Sequence, residues 1–207
     1  MTNQLIQAVE QADSSEGLLN AVKALAAADL TEAIPTLITV LGYNNPGAAV
    51  AAVDGLIQIG EPAVQPLLEQ LDGYNYGARA WAVRALAGIG DPRGLDILLD
   101  AAANDFALSV RRAAAKGLGT ICWELMPSEQ IAEAQKSASK TLLQVSQDPE
   151  WVVRYAAVGG LQALAIAAVQ PDWLSAVLTR LDEIVSGDET SSVRARAWVA
   201  QQKLLLS

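Results

Sequence analysis

Nine residues of this chain have types that hold or polarise a ligand and stand close together in sequence. Tyr43, Asn44, Asn45 and Asp54 lie in GYNNPGAAVAAVDG (42–55), and Tyr74, Tyr76, Arg79, Trp81 and Arg84 lie in DGYNYGARAWAVRA (72–85). A guanidinium makes charge-assisted hydrogen bonds to a carboxylate, a carboxylate accepts N–H groups, and Tyr and Trp offer flat faces with a polar edge. An extended ligand carrying both N–H groups and a carboxylate would match that mixture. Simpler readings stand beside it: Asn and Gly favour turns, and Asp54 fits a solvated helix face. The equipment for nucleophilic catalysis is thin. With no His there is no usual triad base, no Cys-His pair and no imidazole metal ligand. The single Cys, Cys122, permits neither an internal disulfide nor a thiolate cage. It follows Leu118 by four residues, which predicts a thiol buried on the core face of a helix. No metal site is expected, and no cofactor.

The elements that must position these residues announce themselves by repetition. AVKAL (21–25), AVDGL (52–56), AVRAL (82–86), AAKGL (114–118) and AVGGL (157–161) stack in register, with Leu25, Leu56, Leu86, Leu118 and Leu161 spaced by 31, 30, 32 and 43 residues. A sixth copy, VRARAWVAQQ (193–202), has Gln201 at the Leu position and reads as a cap. A second register agrees with the first. Arg79, Arg111, Arg154 and Arg194 each sit seven residues before the Leu position, and the last three follow an Asp by six residues in DFALSVR, DPEWVVR and DETSSVR. Such an Arg is expected to pair with an Asp or with loop carbonyls and fix the stacking, Arg154 with Asp148 of its own unit. Arg79 has Gly73 at the Asp position, which predicts a guanidinium open to a ligand.

Each unit is expected to hold two helices. The apolar run IPTLITVL stops at Gly42, and a second run starts at Pro46, whose missing N–H costs nothing in a first helical turn. Gly60 with Pro62, Asp91 with Pro92, Asp148 with Pro149, and Pro171 with Asp172 repeat that punctuation. Small residues in AAVAAV (48–53) and RRAAAKG (111–117) let helix axes approach, and one pair alone could not bury its apolar stripe. The fold class is therefore all-α, an α-solenoid of helical-pair repeats. A single domain over 1–207 is expected, with about six pairs and a longer fifth repeat around 123–165. In stacked units Tyr43, Asn44 and Asn45 should lie beside Tyr74, Asn75 and Tyr76, a polar-aromatic patch on one rim.

Composition supports this and narrows the function. In 207 residues there are 38 Ala and 28 Leu, a helix-former excess, while aromatics reach only 5%. Fourteen Lys and Arg against 23 Asp and Glu give a net charge of −9, a field that opposes a phosphate polymer, so nucleic acid is not an expected partner. The first residues lack a basic and apolar leader pattern, and no window holds an uninterrupted membrane-length apolar run. A cytoplasmic protein without membrane partners is expected.

The repeat pattern resembles HEAT-like repeats, in the short form whose second helix opens with Asp, a few residues and then Val-Arg. More specifically, YNNPGAAVAAVDGL and LDGYNYGARAWAVRALAGIGDPR resemble the second subunit of the E/F-type phycobilin lyases, two-subunit cyanobacterial enzymes that attach phycocyanobilin to the phycocyanin α subunit. The resemblance implies a heterodimer with a homologous E-type subunit, the phycocyanin α subunit as acceptor, and phycocyanobilin as substrate rather than cofactor. A bilin has two propionates, four nitrogens and an electrophilic ethylidene. By this resemblance Arg79 and Arg84 are candidate propionate partners, Asp54 a candidate acceptor of pyrrole N–H groups, and Tyr43, Tyr74, Tyr76 and Trp81 candidates for stacking or donation. The thiol that adds to the ethylidene would belong to the acceptor protein. Isomerising relatives carry a His-Cys motif near the first segment; YNNPG stands there in this chain, which implies ligation without isomerisation. The competing class is a non-catalytic HEAT-like scaffold, or a phycobilisome-disassembly factor, that binds phycobiliproteins.

Overall fold

The computed structural model describes residues 2–71, 76–168 and 171–206, Tyr76 by its backbone alone. Twelve α-helices and no strand occur among the described residues, and the helices follow one another as six pairs. The first three pairs are α1 (Thr2–Glu10) with α2 (Ser15–Ala27), α3 (Ile34–Val40) with α4 (Pro46–Ile59), and α5 (Val64–Gln70) with α6 (Tyr76–Ile89). The other three are α7 (Leu95–Asn104) with α8 (Leu108–Leu118), α9 (Ser128–Val145) with α10 (Trp151–Ala167), and α11 (Leu174–Gly187) with α12 (Ser191–Leu206). At 18 residues α9 is the longest of the first helices, as the polar, helix-forming insertion in the fifth repeat predicts. Packing divides the chain into two compact units, 1–94 and 95–207.

Within each unit the second helices pack in sequence, α2 on α4 on α6, and α8 on α10 on α12. The repeating leucines are the reason. Leu25, Leu56, Leu86, Leu118 and Leu161 are all 0–1% exposed, so one position per repeat drives into the layer between neighbours. At the sixth copy Gln201 is half-buried, and Val193, Ala197 and Ala200 fill the core instead.

Starts and stops are local chemistry. Ser14 Oγ accepts the Gly17 N–H at 3.1 Å to cap α2, and Asn45 Oδ1 accepts the Ala48 N–H at 3.0 Å to cap α4. Asp29, Gly60 and Gly90, each four residues past its unit's Leu, take φ of 52°, 74° and 74°. That left-handed turn ends the second helix and redirects the chain. Cys122 occupies the same position in the fourth unit, and this corrects the expectation of a helical core thiol. Helix α8 has already stopped at Leu118, and Cys122 lies beyond it, half-buried, at φ −79° and ψ 80°. The spacing i, i+4 places two side chains on one face only while the helix continues.

Close axis approach is clearest where α8 meets α10. A Cβ on Gly160 would stand 2.5 Å from the Ala115 carbonyl oxygen, and one on Gly119 would stand 2.6 Å from the Gly160 Cα. Backbone touches backbone there, which only glycine permits.

Candidate functional site

The Arg register is a relay, built to one plan through the C-terminal unit. Arg111 Nη1 donates to the carbonyls of Asp105 (2.9 Å) and Phe106 (3.0 Å) in its own loop, while Nε and Nη2 reach the Asp148 carboxylate of the next repeat at 2.7 and 3.2 Å. Arg154 repeats the arrangement, donating to the carbonyls of Asp148 and Pro149 and, at 2.8 and 3.0 Å, to the Asp188 carboxylate. Arg194 ends the series on the carbonyls of Asp188 and Glu189. Each Asp also folds its own turn: Asp148 accepts the Glu150 N–H and Asp188 the Thr190 N–H, both at 2.8 Å.

This corrects the expected pairing of Arg154. Its own-unit Asp148 provides a backbone carbonyl, and the buried carboxylate that meets its charge is Asp188, one repeat on, with exposed Glu189 beside it at 3.3 Å. Burial pushes the Asp188 carboxyl up, but the Arg154 hydrogen bonds, the Thr190 N–H and the charges of Arg154 and Arg180 outweigh it and hold the group below its usual value. The Arg154 guanidinium is raised above its ordinary value, chiefly by its hydrogen bonds to Asp188. A cleft of about 520 Å³ opens over this ladder, lined by Arg154, Arg180, Glu183 and Asp188 among others, and its guanidiniums already face carboxylates.

The N-terminal unit carries the polar-aromatic residues. Tyr43 is 40% exposed and Asn44 exposed, both in the turn before α4. Asn45 is turned inward. Besides capping α4, its Nδ2 donates to the Ser15 carbonyl and hydroxyl oxygens at 3.0 Å each, so it ties α4 to α2 with both ends of its amide. Tyr74 lies outside the described residues, as do Gly73 and Asn75, and the side chain of Tyr76 is not described, so their clustering with Tyr43 is not described either.

Asp54 on α4 and Arg84 on α6 are both exposed, at the position two residues before the unit's Leu, on helices that pack against each other. Arg84 lies over the ring of half-buried Trp81, 5.5 Å from its centroid. A stacked guanidinium keeps its in-plane N–H donors available to an anion. Arg79 is half-buried and already engaged, which corrects the expectation of an open guanidinium there.

A third ion cluster has no counterpart in the Arg register. Arg93 Nε and Nη2 grip the Asp91 carboxylate at 2.9 and 2.8 Å, and Nη2 also reaches Glu61 of the preceding repeat at 2.6 Å. The hydrogen bonds from Arg93 outweigh burial and hold the Asp91 carboxyl below its usual value. The sequence signal was present in the alignment: Glu61 and Asp91 both stand five residues past their Leu. Among the described residues no group of three or more His, Cys, Asp or Glu could hold a metal, and no helix is long and apolar enough to cross a membrane.

Comparison with known proteins agrees with this architecture. The family model of HEAT repeats matches residues 2–76 and 64–130, and that of a single HEAT repeat matches 140–167. A phycocyanobilin lyase subunit beta from Pseudanabaena tenuis is 61% identical over 98% of this chain and 73% of its own length. A phycocyanin alpha phycocyanobilin lyase, CpcF, from Synechocystis sp. is 59% identical over 89% of this chain and 88% of its own. Among solved structures, one chain of the complex of CpcE and CpcF of phycocyanin lyase from Nostoc sp. PCC7120 superposes with a TM-score of 0.75. It is 55% identical and covers 82% of this chain and 98% of the other. The leucine register, the six helix pairs and these likenesses together make the chain a member of the HEAT-repeat family and, within it, of the phycocyanobilin lyase beta subunits.

Proposed function

We propose that this chain is the beta subunit of a phycocyanobilin lyase and works with an E-type partner subunit to attach phycocyanobilin to a Cys of the phycocyanin α subunit. The observation that carries the reading is 61% identity over 98% of the chain to a subunit of that name. The superposition on a chain of the CpcE and CpcF complex supports the heterodimer. The protein works in the cytoplasm, on the bilin as substrate and without a cofactor.

The chemistry is addition of the acceptor's thiol across the exocyclic double bond of the bilin. A C–S bond forms, the thiol proton ends on the ring carbon next to it, and nothing is oxidised or reduced. Cys122 takes no part. With no His in the chain, its contribution is to hold the chromophore, orient it toward the incoming thiol and exclude water. On the N-terminal unit Asp54 accepts pyrrole N–H groups, Arg84 presents donors to a propionate, and Trp81, Tyr43 and Asn44 border the chromophore. Arg79 remains a candidate on this unit, and Tyr74 and Tyr76 remain candidates by their place in the sequence.

Reconstitution tests this directly. The chain, its partner subunit, phycocyanobilin and apo-phycocyanin α subunit are mixed, and the product is mapped by peptide mass. A thioether adduct on one Cys, lost when either subunit is omitted, is the expected result; a colourless acceptor with both subunits present would leave the scaffold reading in its place. Arg84→Ala and Asp54→Asn should each lower transfer about tenfold at limiting bilin, the effect of losing one charge-assisted contact of roughly 1.5 kcal/mol.

A further inference from the structure

The C-terminal unit has a groove, between α10 and α12, that the relay does not explain. It encloses about 480 Å³ and is lined by Tyr155 and Gln162 of α10 and by Ser192, Ala195, Arg196, Val199 and Lys203 of α12. That volume falls among small-molecule sites, roughly 300–1,000 Å³. The place that Arg196 takes in the groove depends on Gly159. At this position, two residues before the Leu, other repeats carry Lys23, Asp54, Arg84 and Lys116, all exposed side chains. Gly159 has none, and the Arg196 guanidinium lies in the space instead, Nη2 standing 3.3 Å from where a Cβ would be.

Two features make the groove cationic. Arg196 Nη1 donates to Gln162 Oε1 at 2.7 Å, a neutral partner that orients the guanidinium without cancelling its charge. Gln162 is itself 9% exposed and held in α10, so the anchor is firm. Lys203, two turns further along α12, is exposed, and among the described residues neither cation meets a carboxylate. In a chain of net charge −9 two unneutralised cations in one groove stand out. Beside them are apolar surfaces, Tyr155 at 42% and Val199 at 40% exposure. A planar body can lie along Tyr155 and Val199 while its carboxylate meets Arg196 and Lys203.

We propose that the groove between α10 and α12 binds a carboxylate-bearing, planar conjugated ligand, with Arg196 and Lys203 holding the carboxylate. The proposal rests on the lyase reading, in which that ligand is the bilin and the carboxylate a propionate, held here at a second station, on the C-terminal unit, separate from the contacts that Asp54 and Arg84 offer on the N-terminal unit. Gln162 is a positioning residue for Arg196, and Gly159 leaves the space in which the guanidinium lies.

The test uses the chain in complex with its partner subunit and measures phycocyanobilin affinity by absorbance titration, with the diacid and with its dimethyl ester, in the parent and in an Arg84→Ala background in which the N-terminal propionate contact cannot mask the groove. Arg196→Gln with Lys203→Gln should weaken the diacid at least tenfold and leave the ester at parental affinity. Gly159→Leu, which displaces the guanidinium without removing a charge, should weaken the diacid similarly. Thermal unfolding of each variant is compared with the parent first, and the ester serves as the internal control for a merely structural effect. Unchanged diacid affinity in both variants overturns the groove and leaves the lyase reading intact. Equal weakening of diacid and ester overturns carboxylate recognition. Weakened subunit association with unchanged affinity per complex assigns the groove to the interface and overturns the proposal. A parental complex that binds no bilin overturns the lyase reading, and the groove's ligand with it.

Discussion

The two units of this chain join their repeats by different chemistry. In the C-terminal unit the joints are buried ion pairs, Arg111 with Asp148 and Arg154 with Asp188, whose side chains are 6–13% exposed. In the N-terminal unit the corresponding joint between α2 and α4 is a neutral amide, Asn45 on Ser15, and the ion cluster of Arg93 reaches its neighbour through Glu61, whose side chain is 67% exposed. Where the relay has Asp105, Asp148 and Asp188, the second repeat has Tyr43; where it has Arg, that repeat has Ala49. Buried ions are costly to desolvate and are held only when every partner is present, so they fix one register firmly. An amide and an exposed ion pair hold less tightly and leave Tyr43, Asn44, Asp54 and Arg84 available for a ligand. The same repeat plan is thus used for rigid stacking in one unit and for a polar, accessible face in the other.

The sharpest way to break this contrast is Arg154→Ala. It strands the Asp188 carboxylate, which is 6% exposed, and should lower the stability of the chain by about 3–5 kcal/mol in urea unfolding. Replacing the pair together, Arg154→Met with Asp188→Leu, should recover much of the loss, because the cost lies in the uncompensated charge. The pair also has a pH signature. Asp188 has a depressed carboxyl, so its contribution is fully present above its unfolded pKa, about 3.9, and is lost as pH falls through the lower folded value. Acid unfolding followed below pH 4 should show that loss in the parent and not in the double variant.

Next in size is Gly160→Ala. The new methyl would meet the Ala115 carbonyl oxygen, part of a helix backbone that cannot turn aside, and the expected cost is about 1–3 kcal/mol. Gly88→Ala in the other unit meets only the Ile57 side chain, which can rotate, so its cost should be clearly smaller. Asn45→Ala removes a cap and the link to Ser15 and should cost about 1–2 kcal/mol. Glu61→Ala is the smallest: an exposed partner of Arg93, it should change stability by about 1 kcal/mol or less, and least at high salt. A Glu61 effect as large as that of Arg154 would erase the distinction between the units.

What the sequence alone determined is whatever recurs in it. The five leucines named the buried position of the first five repeats, and proline and glycine punctuation marked the helix ends, because helix capping and burial are decided within a few residues. The sequence also held a signal four residues past each Leu, where Asp29, Gly60 and Gly90 lie beyond the end of their helices and Cys122 stands at the same position beyond α8. Tertiary structure decided the partners. Arg154 and Asp148 are six residues apart, yet the carboxylate that Arg154 meets is 34 residues away, since stacking brings the next repeat's loop closer than the Arg's own Asp side chain, already turned toward Arg111. Asn45 reads as a turn residue or a ligand contact until Ser15 of the preceding repeat arrives beside it. The groove between α10 and α12 is the extreme case: its cationic character depends on one missing side chain at Gly159, on a guanidinium from another helix lying in that space, and on no carboxylate pairing with it among the described residues. Sequence distance measures none of these three, because they are set by which helix faces meet when the repeats stack.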